Sequence, residues 1–301
     1  MKKSGLLLSA SLATILAAPL SSQTIVTDSF ESGDMSAPNS SIFSWEKNNR
    51  TSVVTSSEVV YSNGETSIAK PSGRDWEPKD GNHSLRFRYP AGEPMAEQRF
   101  NLSNAYKDLW FSYWIKVPNN FSHPSSSPTN NKFFAVWMDG YSSQGDGPTV
   151  WWNLLSNGSG DSSIAYSFSE GSYTVAGPQT DFRNFIDVPG DRDRWMKVVM
   201  HIVASSQPGQ SDGVIELWRR WENESSFTKI HETKSASLPI PSGGPNGWAS
   251  GYIMGWANAE YGELTEWLVD DFTVATTSLL SSDPGTSPSG ALPKPPTLTI
   301  E

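Results

Sequence analysis

The chain has 301 residues with 32 acidic and 22 basic side chains, a formal net charge of −10, 36% hydrophobic and 12% aromatic content, and no cysteine. This length and core content suit one large domain. The missing cysteine excludes a disulfide framework, a thiolate metal site and a lipid anchor on Cys, and no basic run is long enough to track a phosphate backbone, so nucleic acid is not an expected partner.

Residues 1–23 begin MKKSGLLLSASLATILAAPL, a basic start followed by a short apolar run and small residues. This reads as an export signal, and the expected location is secreted or periplasmic. Ser9, Ser11 and Pro19 interrupt the run, which is short of the ~20 apolar residues a membrane span needs. No other stretch is apolar enough to span, so no membrane association is expected after cleavage.

From residue 24 to 280 the apolar pattern is mostly of period two, in short runs separated by Gly, Pro, Asn, Asp and Ser, and no amphipathic helix is apparent. The pattern predicts strands at 84–89, 96–102, 109–117, 132–138, 149–155, 164–168, 195–204, 213–221, 227–233, 251–256 and 266–275. That number suits an all-β jelly roll of two antiparallel sheets. Long connections are expected at 119–131, 139–148, 170–194 and 238–248, where binding residues tend to sit. The last stretch, 281–301, is rich in Pro, Ser and Gly and reads as a tail outside the fold. A monomer is expected.

The ordered segments DSFESGDMS, DGNHSLRFRYP, DLWFSYWIKVP, NNKFFAVWMDGYSSQGDG, DRWMKVVMHI, SDGVIELWRRWEN and GYIMGWANAEYGELTEWLVDDFTV resemble the concanavalin A-like lectin/glucanase superfamily. Within it they are similar to polysaccharide lyases of the alginate, glucuronan and heparin lyase type. The resemblance implies a jelly-roll sandwich whose concave sheet holds a glycan. The segments around Arg99, Trp137, Trp151, Tyr166 and Trp256 would supply that sheet. DLWFSYWIKVP, WMKVVMHIV and LVDDFTV would lie on the outer one. Two features of the family pattern are missing: the Q-I-H histidine has no counterpart in KFFAVWMDG, and Met254 stands where the lyase pattern has Lys. The paired-carboxylate motif of the laminarinase-type hydrolases is also absent.

Strand parity groups the candidates. Phe133, Ala135, Trp137 and Asp139 would share one face, as would Thr149, Trp151 and Asn153, and again Tyr252, Met254, Trp256 and Asn258. A lyase acting on a uronate polymer needs one group to neutralise the sugar carboxylate and another to remove the neighbouring proton. The candidates are Arg99 and Asn153 for the first task and Tyr166 and Tyr252 for the second, with Gln98, Trp137, Asp139, Trp151, Trp256, Asn258 and Tyr261 binding substrate. A second reading, a non-catalytic carbohydrate-binding or adhesion module, stays open on the missing His and Lys. Glu31 and Asp34 in DSFESGDMS, with Asp271 on the closing strand, offer oxygen ligands for a structural Ca²⁺; the same residues also read as a solvated turn and a strand end.

Overall fold

The computed structural model describes residues 23–281 apart from 47–48, 67–68, 142–146, 172–176 and 245. The expected signal up to residue 22 and the expected tail from residue 282 lie outside the described residues. No helix among the described residues is long and apolar enough to cross a membrane.

Period-two patterning produces two antiparallel sheets packed face to face, a jelly-roll sandwich. The first sheet contains β1 (Thr24–Asp28), β3 (Thr51–Val54), β4 (Val59–Asn63), β5 (Ser84–Tyr89), β7 (Asp108–Lys116), β12 (Trp195–Val203), β13 (Gly213–Trp221), β14 (Thr228–Ala236) and β16 (Thr265–Ala275). Its order is β14-β13-β12-β7-β16-β5-β3-β4, with β1 paired beside β16. The second sheet contains β2 (Phe43–Trp45), β6 (Met95–Tyr106), β8 (Asn130–Trp137), β9 (Thr149–Ser156), β10 (Ser162–Ser169), β11 (Thr180–Ile186) and β15 (Trp248–Trp256). Its order is β11-β10-β9-β8-β15-β6-β2.

All eleven expected strands form, and those with an expected sheet fall as expected, β6, β8, β9, β10 and β15 in one and β7, β12 and β16 in the other. Five strands were not expected. Among them, β4 is largely exposed and β11 places Asp181, Arg183 and Asn184 inside a segment that reads as loop.

The core between the sheets is built on aromatic side chains. Phe100 lies 6.2 Å from Phe134 and 5.4 Å from Phe272, and Phe111 lies 5.2 Å from Phe134, all fully buried. Each such side chain contributes about 1.5–3 kcal/mol through burial, which lets a chain without disulfides hold this sandwich together.

The solvent-side face of the first sheet is covered by its own residues. Trp76 packs over Arg86 at 4.5 Å, and its indole N–H donates to Glu266 Oε2 at 2.9 Å. Arg86, fully buried, pairs with Glu266 Oε1 at 3.3 Å. Farther along the face, Lys79 and Arg220 lie 4.7 and 4.8 Å from the Trp114 ring centroid. Long basic stems thus shield aromatic rings that would otherwise be wet. As parity predicts for WRRWENES, Arg219 turns the other way, against Phe185 and Trp221.

Candidate active site on the second sheet

The outward face of the second sheet is assembled from alternating positions of β6, β8, β9 and β15. In β9, Val150, Trp152 and Leu154 belong to the core cluster, so Trp151 and Asn153 point away from it. In β6, Ala96, Phe100 and Leu102 are core, leaving Glu97 and Arg99 outward. In β8 the register breaks between Lys132 and Phe134. The break turns both Phe133 and Phe134 into the core and puts Lys132 on the outward face with Ala135 and Trp137. Phe133 was expected on the outward face and is fully buried between the sheets.

Trp137, Trp151, Tyr252 and Tyr141 form one aromatic cluster around Ala135. The Trp151 indole N–H donates to the Tyr141 hydroxyl at 3.2 Å, and the Tyr141 and Tyr252 hydroxyls are 3.5 Å apart. Arg99 lies across the cluster, 5.7 Å from the Trp137 centroid and 5.6 Å from that of Tyr141, while its Nε donates to Glu97 Oε1 at 2.6 Å. Burial raises the Glu97 pKa, opposed by the Arg99 charge and hydrogen bond.

Lys132 sits opposite Asn153 in the β8–β9 register, with its ammonium 5.7 Å from the Trp151 centroid. Burial lowers its pKa to about 8, because the charged form loses hydration. No carboxylate among the described residues pairs with it. Asn153 is 1% exposed, and its Oδ1 has no hydrogen-bond partner. A buried amide oxygen without a donor, beside a half-buried amine without a carboxylate, is costly for the fold alone.

The backbone leaves room beside them. Met254 has φ +57° and joins the core cluster, so it leaves the face it was expected to share with Tyr252 and Trp256. Gly255 follows at φ +144°. A Cβ at Gly255 would lie 3.1 Å from Lys132 Cβ, 3.3 Å from the Tyr252 ring and 3.4 Å from Glu97 Oε2. Lys132, Tyr252 and Glu97 therefore meet around a point that only glycine leaves empty. Burial, followed by the neighbouring Tyr141, pushes the Tyr252 pKa well above 10, so this hydroxyl keeps its proton at neutral pH.

Other expected site residues lie elsewhere. Gln98 is fully buried on the core side of β6. Its Oε1 accepts from Thr51 Oγ1 at 2.9 Å and Asn63 Nδ2 at 3.0 Å, which ties the two sheets together. Tyr166 pairs with core-facing Trp152 and packs against His231 of β14 at 5.3 Å, between the sheets, so it cannot act as a base on the outward face. Tyr261 is buried against Tyr89 and Phe121, and burial raises its pKa to about 12. Trp256 is outward and 47% exposed. Asn258 bonds Asn130 Oδ1 at 3.0 Å at one end of β8, whereas Asp139 follows the other end, so these two do not share a subsite. None of the four histidines joins the outward cluster. His123, for example, is held by Thr129 O and Ser162 Oγ.

The carboxylates expected to hold calcium have hydrogen-bond or charge partners of their own, although Glu31 lies close enough to Asp271 to raise its pKa. Glu31 Oε1 accepts from the backbone N–H groups of Asn82 and His83, each at 2.9 Å. Asp34 Oδ1 caps Ser36 at 2.9 Å. Asp271 has its pKa raised mainly by burial, with the Lys197 charge as the main opposing influence. No group of three or more His, Asp or Glu among the described residues is placed to hold a metal ion.

No protein-family model matches the chain, and no curated protein matches it. Solved structures do. The alginate lyase Aly36B, as a double mutant in complex with an alginate tetrasaccharide, aligns over 85% of this chain and 97% of its own, with TM-score 0.52 and 11% identity. The fold is concanavalin A-like. Weaker likenesses include the PL-14 alginate lyase of Aplysia kurodai, at TM-score 0.48 and 10% identity over 65% of this chain and 84% of that one. The VIP36 exoplasmic/lumenal domain, in a Ca²⁺/Man3GlcNAc-bound form, reaches 0.42 and 8% over 81% and 86%.

Lys132 and Tyr141 were missed at the sequence level. Lys132 opens an otherwise apolar strand, which is a signal, but the bulge that turns it outward leaves no mark in a period-two reading. Tyr141 follows a strand in an expected long loop and carries no pattern at all.

Proposed function

We propose that the protein is an exported enzyme that cleaves a uronate-containing polysaccharide by β-elimination on the outward face of its second sheet. The observation that carries this reading is the pairing of Lys132, a half-buried amine with no carboxylate partner among the described residues, with Asn153, whose buried side-chain oxygen has no donor, beside Tyr252 and Arg99. A uronate sugar supplies what both groups lack: an acidic α-proton for the lysine amine and hydroxyl donors for the Asn153 oxygen.

In this reading the uronate carboxylate lies against Arg99 and Asn153, whose guanidinium and amide stabilise the charge that builds up as the C5 proton leaves. Lys132, neutral above about pH 8, takes that proton. Tyr252, which stays protonated, donates to the glycosidic oxygen at C4 as the C4–O bond breaks and the C4=C5 double bond forms. Tyr252 is thus the acid, where the sequence suggested a base. Trp256, which is exposed, offers a ring face to the sugars, while Trp137 and Trp151 are buried and back the site.

A second reading, a glycan-binding module without catalysis, draws on Arg99 being already engaged by Glu97. Ultraviolet absorbance during incubation with alginate, glucuronan, heparin-type and ulvan-type polymers separates the two. A rise from the unsaturated uronate product is expected. A flat trace with retention on an immobilised polymer would instead establish binding alone.

A further inference from the structure

Phe182 lies at the middle of the edge strand β11 and is 56% exposed. In a strand flanked by charged residues, an exposed aromatic ring is costly to keep and invites edge-to-edge pairing. Its two neighbours on the strand face the first sheet. Arg183 pairs with core-facing Ile164, and Asp181 bonds Arg183 Nε at 2.6 Å from the same side. Both line a cleft with Lys229 and His231 of β14. Phe182, between them, turns to the opposite side, the face that carries Lys132 and Asn153.

Register places it in line with them. Lys132 of β8 pairs with Asn153 of β9, Asn153 pairs with Ala165 of β10, and Ala165 lies between Ile164 and Tyr166, whose partners on β11 are Arg183 and Thr180. The register shifts between Ile164 and Tyr166, so Asp181 and Phe182 both stand opposite Ala165, and alternation from Arg183 puts Phe182 at the end of the row Lys132, Asn153, Ala165. Three strand spacings separate its ends, about 14 Å. Between the reactive end and the ring, β10 places only small side chains on this face, Ser163, Ala165 and Ser167, all of them buried, so a polymer would reach the ring over them without touching Ala165. Among the described residues the second sheet has two large apolar side chains exposed beyond a third, Trp256 and Phe182, and they lie on opposite sides of the Lys132–Asn153 pair.

We propose that Phe182 is a distal stacking subsite that grips a uronate polymer several sugars away from the bond cleaved, so that the protein favours long chains over short oligosaccharides. This rests on the proposed lyase reading and adds a direction to it: the polymer crosses the strands toward β11. Apart from its exposure, the ring is not needed by the fold, since Phe185 and Ile186 carry the buried contacts of β11.

The test is a ladder of uronate oligosaccharides of increasing length, cleaved by the wild type, Phe182→Ala and Phe182→Trp. In the wild type KM should fall with length and then level off. In Phe182→Ala it should level off earlier, leaving long substrates with a KM raised about tenfold, the equivalent of one aromatic stacking contact. The short oligosaccharides and kcat should be unchanged, and Phe182→Trp should restore the length dependence. Equal loss on short and long substrates with a lowered melting temperature would mean a structural role and overturn the subsite, as would an unchanged ladder. If the wild type neither cleaves nor retains any of the polymers, the lyase reading itself falls and the subsite falls with it.

Discussion

The two solvent-side faces of the sandwich carry similar chemistry, tryptophans beside basic side chains, and treat it differently. On the first sheet each cation has a place. Lys229 bridges Glu216 and Glu232 at 3.0 and 2.8 Å, His201 lies between Glu216 and Asp108 while stacking on Trp110, and Lys116 is paired with Asp75. On the second sheet Lys132 faces an amide oxygen it does not bond, next to a hydroxyl held in its protonated form. A face that satisfies itself is a wall. Ser84 Oγ and Arg88 Nε on the first sheet also go without hydrogen bonds, so the contrast lies in the charges: the first face pairs them, and the second leaves a lysine without a carboxylate among the described residues.

Replacing Lys132 is the sharpest way to break the comparison. Lys132→Ala should lower turnover about a thousandfold with the fold intact by circular dichroism, within the range expected for removing a general base. The wild-type rate should rise with pH through about 8, because the amine must shed its proton before it can accept another. A rate that falls across that window would exclude Lys132 as the base.

The wall predicts a different loss. Glu266→Ala removes the carboxylate that pairs with buried Arg86 and accepts from Trp76, and should cost about 3–5 kcal/mol in urea unfolding while the folded fraction keeps its turnover. The smallest effect is expected at Lys229→Ala. There an exposed pair with Glu232 and a pair with the buried Glu216, which keeps its bond to His201, disappear, and stability should change by about 1 kcal/mol or less, with activity unchanged. A large loss of activity from this last variant would show that the faces are not independent.

Much of this contrast is legible in the sequence, because parity is a local property. TVWWNLL alternates cleanly, and Trp151 and Asn153 appear on one face both in the pattern and in the fold. Tyr166 was also readable: Ile164, Tyr166 and Phe168 form an apolar set that belongs to a core, and it is the resemblance to a family that draws attention to the wrong face. Lys132 and Met254 are different. The register break before Phe134 and the left-handed backbone at Met254 each shift parity by one, and neither is marked by a Gly or Pro at the position itself. Gln98 escapes for a third reason. A polar residue on a core face is satisfied only by partners from distant strands, here Thr51 and Asn63, which no local window contains.

The pairing of β1 with β16 sets Thr24 opposite Ala275, so the two ends of the described chain leave the sandwich side by side on the sheet that does not carry the lysine. Anything joined to either end, whether a tether to a surface or a second module, would hold the protein by its closed side. The open side would then face the medium, free to slide along or be threaded by a polymer much longer than the protein itself.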